Sequence, residues 1–189
     1  MRVFNQIEVR QNCDLLRRMI KEGSVFIHPT DTIYGIGCDA TNPSAVKKLI
    51  ELKGRSDKPL SVIAPSKEWI REHCQLDGNN NNWLEKLPGP YTLILKLKNP
   101  KLLPDEVTKG LGTLGVRIPH HWISEMVREC GYPIVTTSAN KQGRDFMTSL
   151  DNLDSEIRAG LNFAVYEGEK TGKPSTIVNL VKGGEILER

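Results

Sequence analysis

Apolar positions recur along this chain with two periods, one helical and one extended, and the two alternate. Over residues 13–22 (CDLLRRMIKE), Leu15, Leu16, Met19 and Ile20 fall on one stripe at helical spacing, and Gly23 is a natural stop. SVFIH at 24–28 is a short apolar run that suits a buried strand. The stretch that follows, PTDTIYGIGCDATN, is dense in Thr, Gly and Asp and reads as a loop. Asn42 and Pro43 make an N-cap and first-turn pair. They open a helix, SAVKKLIELK, with Val46, Leu49 and Ile50 inward and Gly54 at its end. LSVIAP at 60–65 reads as the next strand, SKEWIREHC as the next helix, and DGNNNN at 77–82 as a polar turn.

The second half repeats the alternation. PGPYTLILKLK is a turn feeding a strand, and residues 99–112 read as irregular because of Pro100, Pro104, Gly110 and Gly112. LGVRIP is a short strand, and HHWISEMVREC a helix with Trp122, Ile123, Met126 and Val127 on one stripe. YPIVTTSAN is a strand running into a polar loop, and the tail (LNFAVYEG, STIVNLV, EILER) is β-rich. Strands alternating with helices predict an α/β layered fold with a mixed parallel/antiparallel sheet and flanking helices.

Length and composition narrow the class. A chain of 189 residues suits one domain, taken here as residues 1–189. No apolar run approaches the ~18 residues of a membrane span. The N-terminus, MRVFNQIEVRQNCD, has charges and amides where a signal peptide needs an apolar core. Cys13, Cys38, Cys74 and Cys130 are far apart and form no CxxC pair, which argues against a disulfide framework or zinc ribbon and for the reducing cytoplasm. The net charge of +3 is too small for wholesale nucleic-acid coating but leaves room for a basic pocket.

Two phosphate signatures come close and fail. GIGCDA at 35–40 matches G-x-G-x-x-A after a strand, but the helix signal waits until Asn42-Pro43, so no helix N-terminus faces a pyrophosphate there. GEKTGKPS at 168–175 is one residue short of a P-loop and has Pro174 where a magnesium-binding hydroxyl belongs. His120 and His121 are adjacent and point to different faces of a helix start, so they make no metal pair, and no protein metal ligands are assigned. What remains is polar residues in unusual places. Lys53, Arg55 and Lys58 crowd the end of a helix, where they either complement its dipole or grip a polyphosphate. TTSAN at 136–140 follows an apolar strand, a usual ligand position in α/β sheets. Arg117 sits in a strand and needs an anionic partner, and PST at 174–176 puts two hydroxyls at a strand start.

Six segments together, HPTDTIYGIGCDA, KGR…KPLSVIAP, PGPYTLIL, GVRIPHH, TTSAN and KPSTIVNL, occur in the order and roughly the spacing of the YrdC-like proteins, the L-threonylcarbamoyladenylate synthases. The chain resembles the short form, without an extra C-terminal domain. The resemblance implies a twisted mixed sheet with a cationic concave surface. It implies a reaction in which L-threonine, bicarbonate and ATP, with Mg²⁺ bridging phosphate oxygens, give L-threonylcarbamoyl-AMP and pyrophosphate. A separate tRNA-modifying transferase machinery then uses the product, and the protein itself is expected in the cytoplasm with possible RNA binding. By position, the resemblance puts Lys53, Arg55, Lys58, Thr113, Ser138, Asn140 and Arg189 on ATP, with Lys53 and Arg55 as the catalytic pair. It puts Thr32, Arg117, Thr136 and Ser175 on threonine. This chain departs from the family pattern at KGRSDKPL, which lacks one residue and a proline, and at Gln142, Phe146 and Asn179.

The absence of a catalytic triad fits such chemistry, because the nucleophile comes from substrate and the protein positions reactants and neutralises charge. Two other readings compete. One is a double-stranded RNA or tRNA-binding module without catalysis, disfavoured by the small charge and the lack of an aromatic stacking pattern. The other is an enzyme of similar fold that uses carbamoyl phosphate.

Overall fold

A computed structural model describes residues 1–54 and 58–187. Its elements run β1 (Arg2–Phe4), α1 (Gln6–Gln11), α2 (Cys13–Lys21), β2 (Phe26–His28), β3 (Gly35–Gly37), α3 (Pro43–Lys53), β4 (Ser61–Ile63), α4 (Lys67–His73), α5 (Gly78–Glu85) and β5 (Tyr91–Lys96). They continue with α6 (Asp105–Thr108), β6 (Thr113–Arg117), α7 (Ile123–Cys130), β7 (Ile134–Ser138), α8 (Ser155–Gly160), β8 (Phe163–Val165), β9 (Thr176–Asn179), a 3₁₀ turn (Leu180–Lys182) and β10 (Glu185–Leu187).

The strands join in the order β1-β8-β2-β3-β7-β4-β6-β5-β9-β10. The sheet is mixed, as expected: β4 runs parallel to β6 and β5 to β9, whereas β7 is antiparallel to both β3 and β4. Its two faces carry separate apolar clusters. Val46 and Leu49 of α3, Ile70 of α4, Leu84 of α5 and Ile157 of α8 pack on one face. Val9 of α1, Leu16 and Ile20 of α2, and Ile123, Met126 and Val127 of α7 pack on the other. Local capping sets several boundaries: Asn42 Oδ1 accepts from Ala45 N to start α3, and Gly54, at φ +60°, ends it in the left-handed region that glycine enters freely. No described helix is long and apolar enough to cross a membrane.

Four expectations change. The PTDTIYGIG stretch is not all loop, because Gly35–Gly37 forms β3 between β2 and β7. Two ladders and the burial of Ile36 outweigh the poor strand propensity of glycine. The DGNNNN turn is the first part of α5, which the fully buried Leu84 holds on the core despite its weak helix formers. Residues 99–112 contain the short α6. His120 and His121 precede α7, which starts at Ile123, instead of lying in it. The sequence pattern also overlooked α1, begun by a reciprocal Asn5–Glu8 capping box, and α8, capped by Asp154.

Candidate functional site

On the face covered by α1, α2 and α7, several strands change character along their length. Side chains two residues apart share a face. Ile63 of β4 and Ile134 of β7 belong to the apolar cluster, but Ser61 and Thr136, on the same faces of their strands, line a cavity. Arg117, the register partner of Ile63, lines it as well. The helices cover only part of the sheet, and hydroxyls and a cation emerge where their cover ends. The cavity has a volume of 520 Å³ and is walled by Tyr34, Lys58, Thr92, Ser138 and Ser175 besides.

The GIG segment explains one wall. A Cβ on Gly35 would stand 2.7 Å from His28 Cε1, and one on Gly37 would stand 3.0 Å from His28 Cδ2 and 2.7 Å from the Val135 carbonyl. The glycines therefore make room for the His28 ring, and Gly35 also lines the cavity. His28 is 1% exposed. Its Nδ1 lies 3.2 Å from the Pro29 carbonyl, which can only accept, so Nδ1 carries the ring proton. Nε2 is buried and has no hydrogen-bond partner among the described residues. Burial, opposed by the Pro29 bond and reinforced by Arg117 and His121, lowers the His28 pKa to about 4.

Arg117 is the electrostatic centre of the cavity. Its Nη2 donates to Asp31 Oδ1 at 2.6 Å, and Nη1 and Nη2 both reach Thr32 Oγ1, at 3.4 and 3.3 Å. The second Asp31 oxygen accepts from His120 N at 2.9 Å. Thr32 Oγ1 also meets Thr30 Oγ1 at 2.9 Å, and Thr30 donates to the Ile33 carbonyl, so the PTDT loop is bonded to itself and to Arg117. Across the cavity, Thr92 Oγ1 and Ser175 Oγ are 2.8 Å apart.

Ser175 arrives on a segment that folds over the PTDT loop. Gly172 lies so close that a Cβ there would stand 2.4 Å from the Thr32 carbonyl oxygen. Glu167 anchors this segment by accepting from Trp122 Nε1 (2.8 Å), His121 Nε2 (2.9 Å) and Lys170 Nζ (2.6 Å). Burial pushes the Glu167 pKa up, but these donors outweigh it and hold the carboxyl below its ordinary value. Tyr34 OH donates to the Gly168 carbonyl at 2.6 Å and accepts from Glu167 N.

Beyond β7, Ser138 Oγ donates to Asn140 Oδ1 at 2.5 Å, and Asn140 Nδ2 donates to the Arg144 carbonyl. Asn140 lines an adjacent cavity of 270 Å³ with Lys141, Arg144 and Asp154. The Lys53 ammonium lies beneath this loop, on the Ser138 and Asn140 carbonyls.

Thus Arg117, Thr136, Ser138, Ser175 and Lys58 line one cavity, with Thr32 bonded to its arginine. Asn140 faces the neighbouring cavity, while Lys53 and Thr113 line neither. Arg55 and Arg189 lie outside the described residues. The sequence reading passed over Asp31, Thr92 and the His121–Glu167 pair. Asp31 stood in plain view in the PTDT loop, but nothing local ties it to an arginine 86 residues away. Among the described residues no group of three or more His, Cys, Asp or Glu side chains could hold a metal ion.

A mixed sheet whose cationic, hydroxyl-lined hollow gathers these segments defines a class as well as a site. The chain belongs to the Sua5/YciO/YrdC family, whose model, described as "Telomere recombination", matches residues 18–189. It is 36% identical over 181 residues to a Methanocaldococcus jannaschii relative, covering 94% of this chain and 84% of that one. It is 31% identical to the threonylcarbamoyl-AMP synthase of Vibrio campbellii, over 95% of this chain and 99% of that one. The Pyrococcus abyssi Sua5 structure complexed with L-threonine superposes with a TM-score of 0.83 at 30% identity, over 95% of this chain. This chain spans 54% of that Sua5 and 54% of the Bacillus subtilis synthase. Escherichia coli YciO, at 18% identity and a TM-score of 0.81, shares the fold.

Proposed function

We propose that this protein is a threonylcarbamoyl-AMP synthase, joining L-threonine, bicarbonate and ATP into L-threonylcarbamoyl-AMP with release of pyrophosphate, for threonylcarbamoyladenosine formation in tRNA. The observation that carries the reading is the buried Arg117–Asp31–Thr32 cluster in a cavity otherwise walled by hydroxyls. A guanidinium is a planar fork for a carboxylate, and ringed hydroxyls suit a small hydroxy amino acid. The threonine carboxylate would lie against Arg117, with its side-chain hydroxyl near Thr32, Thr136 or Ser175. A site built for that hydroxyl rejects valine more firmly than a methyl-sized pocket rejects serine.

Bicarbonate gives CO₂ and hydroxide; the threonine amine, as the free base, attacks the CO₂ carbon, and the N–H proton it loses in becoming a carbamate combines with that hydroxide as water. A carbamate oxygen then attacks the α-phosphorus of ATP, the bond to the β-phosphate oxygen breaks, and pyrophosphate leaves with its electron pair. Two anions must approach, so the protein's contribution is charge neutralisation by Lys58 and Arg55, with Thr113, Ser138, Asn140 and Arg189 as further nucleotide contacts. The described donor set is hydroxyl and cationic, and Asp31 is already engaged by Arg117 and His120. Mg²⁺ would therefore come in on the phosphate oxygens and water. The product would pass to a tRNA-modifying transferase machinery, in keeping with a cytoplasmic protein.

The test is pyrophosphate release with each of threonine, bicarbonate and ATP omitted in turn, plus an arm with carbamoyl phosphate replacing threonine and bicarbonate. Release only with all three supports the reading. Equal release with carbamoyl phosphate transfers the assignment to that chemistry. No release under any condition, with RNA retained at moderate salt, transfers it to the RNA-binding reading.

A further inference from the structure

The loop at 138–142 carries two side chains assigned to the nucleotide, and its shape depends on one buried charge. Lys53 is the last residue of α3 and is 3% exposed. Its Nζ donates to the Ser138 carbonyl at 2.5 Å, the Asn140 carbonyl at 2.8 Å and Asn140 Oδ1 at 3.3 Å. An ammonium has three N–H donors, and these acceptors can take them all. The carbonyl of Lys53 accepts from Gln142 N at 3.2 Å, so the same residue ties the loop through backbone and side chain. Oδ1 of Asn140 receives the Ser138 hydroxyl as well, which makes the ammonium the hub of a network containing both side chains.

The alternatives open at the sequence level were a cation complementing a helix dipole and a cation gripping a polyphosphate. The geometry supports neither as the main role. Two carbonyl dipoles, two residues apart, point at one cation in a place shielded from water. Without that cation they repel each other and lose their partner. Lys53 lines neither the 520 Å³ cavity nor the 270 Å³ one. We propose that Lys53 is a positioning residue, which fixes Ser138 and Asn140 for the nucleotide through the loop and does not itself grip the phosphates. The activity arm of this inference rests on the synthase reading; its other arms do not.

The test compares Lys53→Met, Asn140→Ala and the double variant. In ligand-free protein, Lys53→Met should speed amide exchange at residues 139–142 by about tenfold or more while the sheet core stays protected. Affinity for ATP and for AMP should fall by the same factor, within about twofold, with threonine affinity unchanged. The double variant should bind ATP no more than about twofold worse than the poorer single variant, because both act through one network. Losses that multiply in the double variant, a loss that grows from AMP to ATP, or unchanged exchange would each overturn the proposal. If Lys53→Met does not fold, Lys53→Gln keeps a shorter donor, and the same comparison with Asn140→Ala decides. A wild-type protein that binds ATP yet releases no pyrophosphate would sink the synthase reading, and exchange and binding would still decide the role of Lys53.

Discussion

His28 should make the stability of this fold fall between pH 6.5 and 4, by an amount the structure sets. The ring is buried beside Phe26 and over the two glycines of β3. Burial is the main reason its pKa drops from 6.5 to about 4. At pH 7 the group is neutral in both folded and unfolded chains and nothing is lost. As pH falls below 6.5 the unfolded chain takes up a proton that the folded chain refuses until about pH 4, so stability declines across that window and levels off beneath it. At ~1.4 kcal/mol per pH unit, the whole window is worth about 3 kcal/mol. Carboxylates titrate nearby, so the informative quantity is a difference. Urea unfolding of wild type and His28→Phe at several pH values from 7.5 to 4 gives two stability curves. Phe has a similar ring and cannot be protonated, so its curve should fall by about 3 kcal/mol less over the window, whatever its offset at neutral pH. Parallel curves would refute the reasoning, and would mean that the ring is protonated in place or reached by water.

Other perturbations read the site more directly. Arg117→Lys keeps a charge opposite Asp31 but loses the planar fork, so the threonine concentration for half-maximal pyrophosphate release should rise about tenfold with the ATP requirement little changed; a selective effect on ATP would undo the carboxylate assignment. Gly172→Ala would press a Cβ on the Thr32 carbonyl at 2.4 Å, lift the segment that carries Ser175, and weaken threonine binding by calorimetry about fivefold or more; wild-type affinity would show that the segment does not cover the site. Arg55→Ala is expected to cut threonine- and bicarbonate-dependent pyrophosphate release at least about tenfold with the fold intact by circular dichroism, and near-normal turnover would count against its phosphate role.

The parts of this architecture that were legible beforehand are those with a period or a cap. The α3 boundaries follow from Asn42-Pro43 and Gly54, and α7 follows from its apolar stripe. What escaped was decided by partners distant in the chain. β3 is two glycines and an isoleucine with no strand pattern, and it exists because β2 and β7 offer it ladders on both edges. α5 is built on an asparagine run and exists because Leu84 has a hydrophobic seat. The site divides in the same way. Arg117, Thr136 and Ser175 stood out as polar residues misplaced at strand ends, a local signal. Asp31 with Arg117, and Thr92 with Ser175, are pairs separated by 86 and 83 residues, and no local rule joins them.

Two of the sequence motifs weighed above have one physical origin. G-x-G after a strand and a cation at a helix end are both signatures of phosphate sites, because both describe a backbone or charge left open to an anion. Here each feature also has a partner within the protein. The glycines make room for the His28 ring, and the Lys53 ammonium is satisfied by carbonyls across an 85-residue separation. A signature of this kind states that space or charge is available, whereas the fold decides what takes it. Among the described residues, the cations that line the 520 Å³ cavity are Arg117 and Lys58. Lys53 holds the Ser138–Asn140 loop from behind without itself lining either cavity, so altering it should degrade nucleotide binding through geometry.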